Sequence, residues 1–134
     1  MLDRSKVLDI IDGIYVARVA GDQAAMAAVW TDDASYQLMG DANILGAPLT
    51  RQSNARQAVS ELIDQFKFHS ADRVDTLIEG NRAAVLMRIT VSASDGGRHD
   101  THVFNLWEFD DNGKARSVIE FTDTALIMSM LAQS

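Results

Sequence analysis

The sequence predicts an α+β fold, a cone-shaped, curved antiparallel sheet wrapped by N-terminal helices around an apolar cavity. Three observations carry this expectation. Apolar residues recur at helical spacing through the first half of the chain, and from about residue 70 the period becomes two. The strand-like stretches are separated by short Gly-, Asn- and Asp-containing turns. Helices first and a meander afterwards place the helices on one face of a single sheet.

The first helix is predicted from Asp3 to Ala20, where Val7, Ile10, Ile11, Ile14 and Tyr15 form one apolar stripe. Gly21 ends it, and Asp22 is suited to cap a short second helix carrying Ala25, Met26, Val29 and Trp30. Thr31-Asp32-Asp33 reads as a turn and Ala34 to Met39 as a short strand. Residues Gly40 to Ser53 contain two glycines and the chain's only proline, which predicts an irregular loop. Asn54 should cap a third helix with the stripe Val59, Leu62, Ile63 and Phe66. Strands are predicted at 70–78, 83–93, 100–109 and 115–122, joined through Glu79-Gly80-Asn81, Asp95-Gly96-Gly97 and Asp111-Asn112-Gly113. The apolar tail from Ala125 to Ala132 should form a final helical turn or two. Helices wrapped on a sheet leave a cavity between the layers, where small apolar ligands bind.

Composition excludes several classes of function. The chain has 134 residues, enough for one domain spanning 1–134 with a sizeable core. Its net charge is −7 and its bases are scattered singly, which argues against a nucleic-acid partner. With no cysteine there is no thiol nucleophile, thiolate metal site or disulfide framework. Asp3 and Arg4 interrupt any signal-like start, and no apolar run approaches membrane-spanning length, so a cytoplasmic protein without a membrane partner is expected. His99 and His102 stand three apart on a strand and face opposite ways, while His69 is alone, so no metal site is expected. No Gly-x-Ser-x-Gly elbow exists, and Gly40 and Gly46 precede no Gly-Lys-Ser/Thr.

Two segments carry a family resemblance. Ala20 to Ala34 reads Ala-Gly-Asp-Gln-Ala-Ala-Met-Ala-Ala-Val-Trp-Thr-Asp-Asp-Ala, and the last two strands read His102-Val-Phe-Asn-Leu-Trp-Glu-Phe109 and Val118-Ile-Glu-Phe-Thr-Asp123. Together they strongly resemble the nuclear transport factor 2-like superfamily, within it the SnoaL-like and ketosteroid isomerase-like branch. The resemblance implies a cystatin-like cone and, commonly, a homodimer. Activity does not transfer with it, because the superfamily spans isomerases, cyclases, epoxide hydrolases, dehydratases and non-catalytic modules.

Residue by residue, the resemblance implies the following. Tyr15 lies near the tyrosine of the isomerase oxyanion hole, one residue closer to the Gly-Asp anchor, and Asn105 stands at the position of its aspartate. The isomerase base would fall at about Leu38, which cannot move a proton. The Arg-x-Asp of limonene epoxide hydrolase-like enzymes is missing from the strand that ends at Phe109. Glu120-Phe121-Thr122-Asp123 matches the Glu-aromatic-x-Asp segment of SnoaL-like cyclases, making Asp123 a candidate acid/base group. Asp123 competes with a capping role before the tail, and a carboxylate bonded only to backbone amides and facing solvent would exclude the base. Glu120 either enters the cavity or forms an outer salt bridge with Arg88 or Arg116.

The remaining candidates follow from strand parity. Val103, Asn105, Trp107 and Phe109 share one face of the penultimate strand; His102, Phe104, Leu106 and Glu108 share the other. The first set should line the cavity with Trp30, Tyr36, Met87 and Val118, and the second suits a sheet-to-sheet dimer contact. The expected function is binding of a small hydrophobic ligand, cyclic or polyketide- or steroid-like. Asp123 or Glu120 would move a proton while Tyr15 and Asn105 polarise a carbonyl or hydroxyl, in an isomerisation, cyclisation or hydration that needs no cofactor. The alternative is a non-catalytic ligand-binding or dimeric association module, favoured by Leu38.

Overall fold

The computed structural model describes residues 1–93 and 96–132. Helix α1 (Arg4–Ala20) is capped by the Asp3 carboxylate, which accepts from the Lys6 amide, and ends at Gly21 in the left-handed conformation, φ 65°. Its buried stripe is Val7, Ile11, Ile14, Tyr15 and Arg18, so an arginine extends the apolar face by one turn. Asp22 caps α2 (Gln23–Ala27).

Helix α2 is shorter than its apolar spacing suggests, and Trp30 belongs to strand β1 (Trp30–Leu38). The chain leaves the helix because the Val29 carbonyl accepts from the Ala115 amide, while Arg56 donates to the carbonyls of Ala27 and Trp30. The expected Thr31-Asp32-Asp33 turn survives only as a register shift inside β1, where the Thr31 hydroxyl bonds Asp33. The expected loop from Gly40 to Ser53 instead winds into two single turns, α3 (Ala42–Leu45) and α4 (Ala47–Thr50), which bury Leu45 and Thr50. Gly46, at φ 90°, makes the bend between them.

Strand β2 (Ser53–Asn54) pairs with β1, and the Asn54 side chain caps α5 (Ala55–Gln65). Strand β3 (Phe66–Glu79) starts at once, four residues earlier than predicted, because Phe66 and Phe68 point inward and pair opposite Ala93 and Val91. Strands β4 (Arg82–Ala93), β5 (His99–Phe109) and β6 (Ala115–Thr122) complete the meander, and α6 (Thr124–Ala132) follows. Gly80 and Gly113 both have positive φ at their turns, while Asp95 of the other expected turn lies outside the described residues.

The six strands form one curved, unclosed sheet in the order β2-β1-β6-β5-β4-β3. Only the β1–β6 ladder is parallel among the described residues. On the concave side α1 packs across β3 and α5 against β1, enclosing Ile11, Val85, Met87, Phe109 and Ala115. No helix among the described residues is long and apolar enough to cross a membrane.

Ile11 is fully buried beneath α1, whereas Val16 on the same helix is 70% exposed. Ile11→Ala should therefore cost about 2–5 kcal/mol of unfolding free energy. Val16→Ala should change it by less than about 0.5 kcal/mol. Urea unfolding of the two variants beside the parent measures both.

Candidate functional site

A cavity of about 90 Å³ lies between the helices and the concave face. Its apolar wall includes Ile14, Trp30, Leu38, Phe68, Val103, Trp107 and Val118, and Leu126, Ile127 and Met130 of α6 close over it. Tyr15, Arg18, Tyr36, Asn105 and Glu120 bring the polar groups.

Each of these groups comes from a rigid element. The β5–β6 ladder sets Asn105 opposite Glu120 and Trp107 opposite Val118, and the β1–β6 ladder sets Leu38 beside Glu120 and Tyr36 beside Val118. Glu120 therefore faces inward, and the outer salt bridge with Arg88 or Arg116 does not form. Its Oε1 accepts a hydrogen bond from the Tyr36 hydroxyl at 2.9 Å. Across the cavity the Asn105 amide donates to the Tyr15 oxygen, which joins the last strands of the meander to α1.

Aromatic packing holds this arrangement. Trp30 and Phe109 stack on Trp107 with ring centroids 5.7 and 5.9 Å away, and Tyr15 meets Trp107 edge-on. The Trp107 indole N–H slightly favours the Tyr15 phenolate but falls short of a hydrogen bond. Asn105 Oδ1 is likewise buried without a partner.

Burial dominates the electrostatics. It raises the Glu120 carboxyl above the usual carboxylate range, only partly opposed by the Tyr36 hydrogen bond, the Arg18 charge and the Asn105 amide. Tyr15 and Tyr36 are pushed up by burial and by Glu120, so both remain protonated donors at neutral pH. Arg18 is brought down to about 10 by desolvation, which leaves it a cation. Its guanidinium lies 4.0 Å from the centre of the Phe68 ring and donates to the Phe66 and Leu62 carbonyls at the end of α5.

Of the residues expected at the site, Tyr15, Asn105 and Glu120 converge, and Trp30, Tyr36, Val103, Trp107 and Val118 line the cavity. Two expectations need correction. Met87 is buried in the core beside Val103 and does not reach the wall. Asp123 touches the rim of the cavity, but it is exposed and its carboxylate accepts from the Leu126 amide, capping α6. Leu38 is buried in the wall, an aliphatic neighbour of Glu120. The sequence reading missed Arg18; the available signal was a base three residues after Tyr15, in line with the buried stripe. Among the described residues no three His, Asp or Glu side chains cluster as metal ligands would.

A curved sheet with helices over its concave face, and tyrosine, amide and carboxylate groups inside, defines a cone-shaped α+β domain with a polar-lined interior. The model of the SnoaL-like domain matches residues 11–118, and the chain belongs to this family. No curated protein matches it in sequence. Among solved structures, it is similar to the BvnE pinacolase of Penicillium brevicompactum, with 16% identity over 96% of this chain and 94% of that one, TM-score 0.74. PrhC of Penicillium brasilianum shares 15% identity over 96% and 87% of the two chains, TM-score 0.77. An LEH-like epoxide hydrolase of M. tuberculosis shares 14% over 96% and 91%, TM-score 0.71. Identities this low establish a common NTF2-like fold, and the chemistry rests on the residues inside.

A carboxyl whose pKa is raised on folding binds its proton more tightly in the native state, so native stability falls as pH rises from about 4.5 through the folded pKa. Glu120→Gln removes that dependence while keeping an acceptor for Tyr36. The variant's Tm should gain on the parent's as pH rises to 7, and the gain should vanish below about pH 4.5. Thermal melts across that range measure the difference.

Proposed function

We propose that this protein is a cofactor-free acid/base enzyme for a small, mostly apolar, cyclic molecule. The convergence of Glu120, Tyr36, Asn105 and Tyr15 on one cavity carries this reading. Glu120 moves the proton. Its raised pKa makes it a stronger base than an ordinary carboxylate, and the Tyr36 hydrogen bond fixes its orientation. Tyr15 accepts from the Asn105 amide, which leaves its own O–H to polarise a ligand carbonyl or hydroxyl and to stabilise charge developing on that oxygen. Isomerisation, aldol-type cyclisation, and hydration or dehydration all need this base-and-donor pair. The names of the pinacolase and epoxide hydrolase with the same fold are in keeping with enzymatic use of such a cone. Asp123 serves as the cap of α6.

The second reading, a non-catalytic binding module, draws on Leu38, an aliphatic side chain where the resemblance places a base. Proton exchange separates the two. In D2O with a panel of cyclic ketones and 1,3-diketones, the parent should accelerate deuterium incorporation next to the carbonyl, read by NMR. Glu120→Gln should lose about 10²-fold or more of that rate, and Asp123→Asn should stay within a few-fold of the parent. The rate should rise with pH through a pKa above the ordinary carboxylate value and then level off. Ligand binding with no exchange on any member of the panel would favour the binding module.

A homodimer through the outer sheet face belongs to the same proposal. Phe104 and Phe121 are 36% and 44% exposed there and pack edge-to-face at 6.2 Å. Arg88 and Glu108 put both signs of charge on the same face, which a two-fold contact of that face with itself can pair. Sedimentation at micromolar concentration should give twice the chain mass, and Phe104→Glu with Phe121→Glu should give the monomer.

A further inference from the structure

Among the described residues Arg18 is the one base lining the cavity, and its bonding leaves most of its donors unused. Only Nη2 is engaged, donating to the Phe66 carbonyl at 2.7 Å and the Leu62 carbonyl at 3.4 Å. Nε and Nη1 have no hydrogen-bond partner among the described residues. Neither atom is sealed off from all accessible space, as Asn105 Oδ1 and Trp107 Nε1 are. The residue is only 8% exposed, and it lines the cavity. No carboxylate lies within 4.0 Å of the guanidinium among the described residues. Glu120, the nearest candidate by its electrostatic influence, is bonded to Tyr36 instead.

Buried cations in proteins are normally paired, because an unpaired one forfeits its hydration without compensation. Here Phe68 covers one face of the guanidinium and the end of α5 takes one nitrogen, while the edges toward the cavity stay free. We infer that Arg18 anchors an anionic oxygen of the ligand, so that the molecule held in this cavity is an apolar ring or chain bearing a carboxylate or an acidic enol. The anion receives charge-assisted hydrogen bonds from Nε or Nη1. The apolar remainder lies against Trp30, Trp107, Val103 and Val118, which leaves the reacting carbon toward Glu120 and Tyr15. This inference rests on the reading of the cavity as a ligand site and names the class of ligand; it does not depend on turnover.

Calorimetric titration with matched pairs tests it: benzoate against benzamide, and cyclohexanecarboxylate against its amide, at pH 7 and low salt. Each carboxylate that binds should bind about 10- to 100-fold tighter than its amide. Arg18→Gln should abolish that preference with the amide affinity unchanged, its folding checked by circular dichroism. If Arg18→Gln does not fold, Arg18→Lys decides: it keeps the charge but loses the Nε and Nη1 donors, so the preference should fall several-fold, and an unchanged preference overturns the inference. Equal binding of carboxylate and amide, or a preference that survives in folded Arg18→Gln, overturns it while leaving the proposed function intact. Failure of every probe to bind overturns both.

Discussion

The parallel ladder between β1 and β6 ties the helical half of the chain to the meander, and the interior follows from its register. Tyr36 pairs beside Val118 and Leu38 beside Glu120, which brings the Tyr36 hydroxyl to the Glu120 carboxyl, 84 positions away in sequence. Closing so long a loop costs entropy, but that cost grows only with the logarithm of loop length. Burial of Trp30, Ala34, Tyr36, Leu38, Ala115 and Val118 along the seam offsets it. Because side chains alternate across a strand, a slip of one residue would turn Tyr36 outward and strip Glu120 of its hydrogen bond. The polar site is thus inseparable from the apolar pattern of two strands.

The aromatic column performs the complementary task on the other wall. Trp107 is held between Trp30 and Phe109, and Tyr15 meets its edge, so the tyrosine hydroxyl is located by packing before any hydrogen bond forms. Asn105, two residues before Trp107 on the same face, then completes the contact across the cavity. Placing a tyrosine, an amide and a carboxyl in an interior costs stability wherever their bonds are incomplete. The partnerless Asn105 Oδ1 is a local expression of that cost. Groups held this firmly keep their geometry when a ligand arrives, which is the condition for electrostatic catalysis without reorganisation.

The meander was legible because period-two alternation and turn residues are local signals. Strand β4 alternates buried Ala83, Val85, Met87, Ile89 and Val91 almost without exception. The inward set on β5 was legible for the same reason. Where the sequence misled, a long-range contact overrode a local pattern. Trp30 and Phe66 keep helical spacing with their neighbours, yet each is drawn into a strand, one by pairing beside Ala115 and the other opposite Ala93. The turns α3 and α4 are too short to display a period at all. Met87 has the parity of a cavity residue, but parity reports the face and says nothing of where along the strand the cavity lies.

The choice between Glu120 and Asp123 shows the same limit at the level of chemistry. Both lie in one four-residue motif, and their roles diverge only because β6 ends at Thr122 and frees the following helix N–H groups for Asp123. Glu120, still within the strand, is carried inside. There it faces a buried guanidinium, and the two charges do not pair, since each is held by other bonds: Glu120 by Tyr36, Arg18 by the carbonyls of Phe66 and Leu62. A direct salt bridge would lower the carboxyl's pKa and consume the free N–H donors. Keeping the charges apart preserves a carboxyl strong enough to accept a proton and a cation still able to receive an anion. On the proposed reading, these are the two ends of one ligand's path through the cone.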